Sequence, residues 1–215
     1  MCQFQIAEIS MCGQLKVFGL VISLMLPSVA FPREMGEHPY AEPGPSYLRK
    51  FAEEGEKIFV LERFDAGGSL VDRSIDRVSG EIIINGAVER RIAGYDIQLR
   101  GLNGCPALTV TYNRVQTWTC IDAVRDYAGA IYNKRAHVIL CKTLMLSTAQ
   151  GKAIPASCFV LVGGDGEPYR TVNDDEIMVF LGLAEIGKTP DGRSRRPDLV
   201  QAQSLSKTMG FQNAD

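Results

Sequence analysis

The four cysteines of the expected mature chain limit the folds that it can adopt: Cys105, Cys120, Cys141 and Cys158. The segment that begins the chain has the features of an export signal, and exported thiols meet an oxidising compartment. An even set of cysteines in such a chain predicts two disulfides. Four cysteines allow three pairings, and the sequence by itself does not choose among them.

The first 30 residues are typical of a signal peptide. Lys16 precedes an apolar run over residues 17–26, and Ser28-Val29-Ala30 resembles a cleavage site. The run is shorter than the ~20 apolar residues of a membrane span. We therefore predict a secreted or periplasmic protein, with an uncleaved anchor as the alternative. Met1 and Met11 are both candidate start sites.

Residues 31–50 are rich in Pro, Gly and Glu and have no apolar period, which predicts an exposed linker. Residues 51–215 have the length of one domain with its own core. The net charge of −2 gives no overall electrostatic reason for binding nucleic acid or an anionic membrane.

Short segments rich in aliphatic residues predict the β-strands. These segments are residues 57–61, 81–84, 88–95, 137–146 and 154–162. Asn85-Gly86, between the second and third segments, strongly favours a hairpin. Gly163-Gly164-Asp165-Gly166 predicts a turn after the last strand.

Three helices are predicted after Cys120. Apolar residues recur at helical spacing over residues 121–131. Thr171 or Asn173 can cap a second helix with an acidic first turn. Pro197 opens a third helix that ends near Gly210. The order of elements predicts an α+β fold, namely an OB-fold five-stranded β-barrel with three flanking helices.

The ordered motifs resemble the staphylococcal nuclease (thermonuclease) family over about residues 77–212. The family has Asp-Gly-Asp-Thr, a strand, a tight turn, and Arg-Leu-x-Gly-Ile-Asp-x-Pro-Glu. Ser79-Gly80-Glu81-Ile82 and residues 91–99 stand at these two motifs, and residues 149–152 resemble the family's Asp-x-Tyr-Gly-Arg. Secreted members carry four cysteines in the same order, which implies the pairs Cys105–Cys120 and Cys141–Cys158.

The resemblance implies a calcium-dependent site for phosphodiester hydrolysis. In such a site carboxylates hold the metal ion, and arginines hold phosphate oxygens. By position, Glu81 and Asp96 are the candidate metal ligands, and Arg91 and Lys152 are the candidate catalytic cations. Calcium is the implied cofactor only if this site is retained.

Several substitutions argue against activity. Lys152 keeps the charge of an arginine but loses its planar fork. Leu99 stands where the family has the glutamate that orients or deprotonates water. No Asp or Glu lies between Asp96 and Asp122, so a shifted alignment does not restore the base. Ser79 and Ile82 replace the first aspartate and the threonine of the motif.

The resemblance and these losses predict an exported nuclease-like domain that no longer cuts. It would be a binding or accessory protein, and relatives encoded with exopolysaccharide genes connect it with succinoglycan production. The alternatives are a calcium-dependent nuclease that hydrolyses DNA or RNA, and a structural protein. For an anionic partner, nucleic acid or an acidic polysaccharide, one basic loop offers candidate contacts, although a solvated loop is the simpler interpretation. Its cations are Lys188, Arg193, Arg195 and Arg196.

Overall fold

The computed structural model describes residues 41–112, 116–145, 152–164 and 166–209. The predicted signal peptide and the first part of the predicted linker lie outside the described residues. So do residue 146, the first three residues of the 149–152 motif, Asp165, and the end of the third predicted helix from Gly210 onward.

The described residues form twelve strands and four α-helices. The strands are β1 (Ile58–Phe64), β2 (Leu70–Arg77), β3 (Ile83–Ile84), β4 (Glu89–Ile92), β5 (Tyr95–Leu99), β6 (Leu102–Gly104), β7 (Thr109–Tyr112), β8 (Gln116–Thr119), β9 (Val138–Leu144), β10 (Ile154–Gly164), β11 (Glu167–Asn173) and β12 (Ala184–Ile186). The helices are α1 (Pro45–Leu48), α2 (Cys120–Gly129), α3 (Asp174–Phe180) and α4 (Val200–Met209). Short 3-10 turns cover Arg49–Phe51 and Pro197–Leu199, and a π-helical turn, Ala130–Arg135, continues α2. Among these elements, no helix combines the length and apolar composition that crossing a bilayer would require.

Eight strands form one sheet, and together with the helices they confirm the predicted α+β class. The sheet has the order β2-β1-β9-β10-β5-β4-β3, and β11 also pairs with β10. β1 and β9 are parallel, as are β5 and β10, and the other pairs in this sheet are antiparallel. β6 pairs with β12 and β7 with β8 in two small separate sheets.

The ladder order of the large sheet is open. β9 bonds β1 along one edge and β10 along the other. Because both of its edges are occupied, β9 offers no backbone groups to β3 at the far end of the sheet. No ladder closes the sheet into a barrel among the described strands.

Strand β1 separates two hydrophobic clusters, because successive side chains on a strand point to opposite faces. Phe59 and Leu61 belong to the large core, which also contains buried residues of α2 and α3. Ile58 and Val60 belong to a smaller cluster with Leu48 of α1. Both faces of this central strand are therefore covered.

Residues 41–51, most of which the composition predicts to be an exposed linker, are folded. They contain α1 and the turn that follows it. Leu48 is completely buried in the smaller cluster. The Thr171 hydroxyl donates a hydrogen bond to the Pro43 carbonyl oxygen at 2.8 Å, which ties this segment to β11. The folded part of the chain thus begins before the predicted boundary at residue 51.

The predicted helix starts agree with the caps in the structure. The Asn173 side chain accepts a hydrogen bond from the backbone N–H of Glu176 at 3.3 Å and caps α3. Thr119 likewise accepts from the backbone N–H of Asp122 at 3.2 Å and caps α2. A 3-10 turn begins at Pro197 and leads into α4.

Both disulfides have the pairing that the resemblance implies. Cys105, just after β6, joins Cys120, the first residue of α2, with Cα atoms 5.7 Å apart. Cys141 in β9 and Cys158 in β10 face each other across the antiparallel ladder, with Cα atoms 4.2 Å apart. The structure therefore confirms the predicted pair of cross-links.

The predicted strand over residues 88–95 is interrupted by a tight turn. Ala93 and Gly94 both have positive φ, 49° and 86°. Two such residues reverse the chain, so β4 and β5 form an antiparallel hairpin. This turn decides where the predicted site residues lie.

Candidate functional site

Arg91 and Asp96 lie opposite each other on the two arms of the β4–β5 hairpin. The Arg91 Nε atom is 3.6 Å from Asp96 Oδ1, and the two side chains are 54% and 59% exposed. An exposed pair of this kind contributes at most about 1 kcal/mol to stability. The predicted catalytic cation and the predicted metal ligand thus neutralise each other at the surface.

Glu81 is exposed and lies two residues before β3. It lines a surface groove of about 340 Å³ together with Arg125 and Asn133. The Asn133 side chain holds this segment, because its oxygen accepts from the N–H of Ile82 at 2.8 Å and its amide donates to the Ile82 carbonyl at 3.1 Å.

The oxygen donors do not fit a calcium site, which takes six to eight oxygen ligands. Asp96 is paired with Arg91 rather than with a second carboxylate. In the part of the chain that the structure describes, no three His, Cys, Asp or Glu side chains come close enough to hold a metal ion. The predicted ligands Glu81 and Asp96 are therefore too few for calcium by themselves.

Leu99, at the position aligned with the family's catalytic glutamate, is completely buried in the large core. Its backbone N–H donates to the Val88 carbonyl at 2.7 Å. An aliphatic side chain enclosed in this way can neither accept a proton nor orient a water molecule. The neighbouring Gln98 is exposed, but an amide is not a base.

Lys152 is exposed and lies two residues before β10. The first residue of β10, Ile154, is the parallel partner of Ile97 in β5. The start of β10 therefore runs beside the strand that carries Asp96. Lys152 makes no ion pair with any described residue.

The predicted basic loop contains a buried arginine. Arg196 is 1% exposed and pairs with Asp175, which is completely buried, and with Asp198 at 2.8 Å. Burial disfavours the charged guanidinium, but the carboxylates of Asp175 and Asp198 outweigh burial and raise the pKa of Arg196. Its position beneath the surface makes Arg196 unsuitable for contacting an anionic polymer.

The rest of the loop has a modest positive charge. Arg193 is exposed and pairs with Asp191 at 2.5 Å. Lys188 and Arg195 are exposed and make no ion pair with described residues. Of the four predicted cations, only Lys188 and Arg195 are exposed and without an ion pair among the described residues, so the loop is a weak candidate for binding an acidic polymer.

A second buried ion pair joins Arg90 to Asp174. Arg90 Nη2 is 3.1 Å from Asp174 Oδ2, and the Tyr132 hydroxyl donates to the same oxygen at 2.8 Å. Arg90 also donates to the carbonyl oxygens of Gly86 at 2.6 Å and Ala87 at 3.1 Å. The pair fastens the 85–88 turn to α3. Sequence reasoning missed it, although alternation places residue 90 on the same inward face as residues 88 and 92.

The burial of this network shifts its titrations. Burial raises the pKa of Tyr132, and the negative charge of Asp174, which accepts a hydrogen bond from the Tyr132 hydroxyl, raises it further. For Arg90, burial favours the neutral form but Asp174 outweighs it, so the pKa is raised. At neutral pH Tyr132 is therefore neutral and Arg90 is charged, which suits a structural role.

Comparison with models of protein families finds no match to this chain, and comparison with the curated proteins finds no match either.

Proposed function

We propose that this chain is an exported staphylococcal-nuclease-like domain that has lost its hydrolytic site and serves as a binding or accessory protein. The observation that carries the proposal is the environment of Leu99. In the alignment that places residues 91–99 at the second family motif, a buried leucine stands where the resemblance requires a base in contact with water. The mutual pairing of Arg91 and Asp96 and the scarcity of oxygen donors support the same conclusion.

The tight turn at Ala93-Gly94 supports a second alignment with the family motif. If this turn is the one between the family's two motifs, Asn85-Gly86-Ala87-Val88 stands at Asp-Gly-Asp-Thr. Residues 98–106, Gln-Leu-Arg-Gly-Leu-Asn-Gly-Cys-Pro, then stand at Arg-Leu-x-Gly-Ile-Asp-x-Pro-Glu. In this alignment Gln98, Asn103 and Pro106 occupy the positions of the family's arginine, aspartate and glutamate. Neither alignment supplies a base, so the proposed loss of hydrolysis does not depend on the choice.

We propose that the fold is an OB-type barrel that is not closed, because β1 occupies the edge of β9 that would otherwise pair with β3. Five neighbouring strands support it. β3, β4 and β5 form an antiparallel meander, β10 pairs in parallel with β5, and β9 pairs antiparallel with β10. Helices α2, α3 and α4 account for the three helices of the prediction. The β1–β2 hairpin would be an addition that takes the edge of β9.

Export and a role in exopolysaccharide (succinoglycan) production are the further parts of this proposal. Two disulfides support an oxidising compartment outside the cytosol. The link to an acidic polysaccharide rests on the resemblance alone. Binding of the purified chain to succinoglycan, compared with a neutral glucan, measures it directly, and equal binding to both polymers would contradict it.

The decisive experiment is hydrolysis of DNA and RNA by the oxidised chain from Phe31 onward, with calcium and with a chelator. We expect no calcium-dependent cleavage at high protein concentration. Arg91→Ala tests the candidate cation, and Arg77→Ala is its control because Arg77 is also an exposed strand arginine paired with a carboxylate. Cleavage that disappears with chelator and in Arg91→Ala, but persists in Arg77→Ala, would establish a working nuclease and refute the proposal.

A further inference from the structure

Two adjoining depressions meet at Arg135, at the end of the π-helical turn. The first, of about 160 Å³, is lined by Arg135, Arg170 and Tyr127 and by apolar side chains. The second, of about 310 Å³, is lined by Arg135, Lys134, His137, the two glycines that end β10, and Glu167. We call the two depressions together the Arg135 cleft.

The first depression of the Arg135 cleft has an apolar floor. The floor residues come from the start of the π-helical turn, the strands β10 and β11, and α3: Ala130, Ile131, Val162, Val172 and Ile177. Val162 is almost fully buried, and Ile131 and Val172 are more than 90% buried, so this floor is part of the packed core. An apolar ring or short chain placed there would leave water at little cost in polar contacts.

The rim of the cleft has more positive than negative charge. Arg170 and Lys134 make no ion pair with any described residue. Arg135 pairs with Glu167 at 3.2 Å, but both side chains are about half exposed. Three cations therefore face one described carboxylate, which favours a ligand with one or two negative charges.

The Tyr127 side chain supplies a polar group at the same place. Its hydroxyl makes no hydrogen bond with a described residue and is not enclosed by protein. Burial raises the pKa of Tyr127, so the hydroxyl keeps its proton at neutral pH and can donate to an anion. Arg135, Arg170 and Tyr127 line the same depression as the apolar floor, so all three side chains could donate hydrogen bonds to an anion bound there.

The second depression of the Arg135 cleft has a rigid wall. His137 Nε2 lies 2.6 Å from the Gly163 carbonyl oxygen, so this ring nitrogen carries the hydrogen and donates it. Tyr169 contacts the His137 ring edge-on, with centroids 5.5 Å apart. These contacts fix the strand end beside Arg135 before a ligand arrives, which lowers the entropic cost of binding.

We propose that the Arg135 cleft binds a small organic anion, with a carboxylate or phosphate held by Arg135 and Arg170 and an apolar ring or chain on the floor formed by the π-helical turn, β10, β11 and α3. This site does not use the candidate nuclease residues Glu81, Arg91, Asp96 and Lys152, and it does not depend on the proposed loss of nuclease activity. An anion bound to a hydrophobic surface needs both parts, so neither inorganic phosphate nor a neutral ring alone should bind well.

Titration calorimetry of the full oxidised chain with phenyl phosphate tests this proposal. We expect saturable binding at one site, with inorganic phosphate and benzyl alcohol each at least about tenfold weaker. Arg170→Gln should weaken phenyl phosphate at least about tenfold, because a guanidinium–phosphate bond is lost. Arg77→Gln, which removes an exposed strand arginine outside the cleft, should leave binding unchanged.

A floor variant separates the two parts of the site. Ile177→Ala should weaken phenyl phosphate severalfold and leave the weak binding of inorganic phosphate as it was. Unfolding temperatures of all variants establish that each is folded. The proposal is overturned if phenyl phosphate does not saturate, if benzyl alcohol binds equally well, or if folded Arg170→Gln and Arg77→Gln bind it with equal affinity.

Discussion

Arg196 and Asp175 form an ion pair in which both side chains are buried, and the pair connects the loop before α4 to the first turn of α3. Asp175 also accepts a hydrogen bond from the backbone N–H of Cys158 at 3.3 Å, while Arg196 donates to the Arg100 carbonyl at 3.1 Å. Burial raises the pKa of Asp175, and the facing guanidinium opposes that shift. One buried contact thus joins a disulfide-bearing strand, a helix and a loop.

Arg196→Met should lower the free energy of unfolding by about 3–5 kcal/mol, because it leaves the Asp175 carboxylate buried without its cationic partner. Urea denaturation of the oxidised protein measures the loss. Arg193→Met is the matched control on the same loop, and since Arg193 is 83% exposed it should cost at most about 1 kcal/mol. Equal losses in the two variants would show that Arg196 is not buried in solution.

Leu48→Ala should lower the free energy of unfolding by about 2–5 kcal/mol, since it opens a cavity in the smaller core. The same denaturation experiment measures this cost. Leu108→Ala is the control, because Leu108 is 91% exposed and its truncation should change stability by no more than about 0.5 kcal/mol. A neutral Leu48→Ala would restore the interpretation of residues 41–50 as a linker.

Gly163→Ala should destabilise the protein more than Gly166→Ala. Both glycines have positive φ, at 122° and 95°, which costs an alanine about 1–2 kcal/mol. A Cβ atom on Gly163 would also lie 2.6 Å from the Pro168 carbonyl oxygen, whereas one on Gly166 would meet nothing within 4 Å. We expect a further loss of about 1–3 kcal/mol for Gly163→Ala in thermal unfolding. The opposite ranking would contradict the close approach of β10 and β11.

The Cys105–Cys120 disulfide should be reduced before Cys141–Cys158. Cys105 is partly exposed, while both sulfurs of the other bridge belong to completely buried residues. A reductant needs access to a sulfur atom. Stepwise treatment with dithiothreitol, alkylation and peptide mass mapping will give the order, and earlier labelling of Cys141 and Cys158 would contradict it.

Stability should fall as pH rises from about 10 to about 12, in part through Tyr47. Burial and the hydrogen bond to Glu62 raise the pKa of Tyr47 to about 12, above its usual value near 10. The unfolded chain loses this proton first, so the contribution of Tyr47 is complete below pH 10 and disappears as pH passes the folded value.

Comparison of Tyr47→Phe with the parent protein isolates this effect. Urea denaturation at pH 9, 10 and 11 should show a smaller loss of stability with pH in Tyr47→Phe. Tyr169→Phe, which changes a more exposed ring, serves as the control. A loss in Tyr47→Phe as steep as in the parent would exclude Tyr47 as a source of the alkaline decline.

Local signals in the sequence were sufficient for the central strands and the helix starts. The apolar runs of β9 and β10 are longer than those of an exposed strand, so they predicted buried strands. Asn173 lies three residues before Glu176, the spacing at which an N-cap side chain accepts a backbone hydrogen bond. The disulfide pairing needed the resemblance as well. Strand β2 was missed, because it is a sheet edge whose Asp and Arg residues alternate without a buried face.

Long-range pairing could not be predicted from the sequence. Arg90 and Asp174 are 84 positions apart, and nothing local distinguishes the buried Arg90 from the exposed Arg91 except the alternation of the strand. Likewise, the sequence does not distinguish the four cations between residues 188 and 196. Only the structure shows that Arg196 pairs with Asp175 and Asp198. The turn at Ala93 was missed because alanine rarely adopts positive φ.

The position of β1 on the edge of β9 has a consequence for how the protein avoids self-association. A chain that began at the region of resemblance, near residue 77, would expose the backbone N–H and C=O groups of β9 and uncover the apolar face of Val138 and Leu140. Exposed strand edges recruit strands from other molecules. The β1–β2 hairpin therefore caps this edge from within the same chain, and a fragment that lacks the hairpin should associate with other copies of itself.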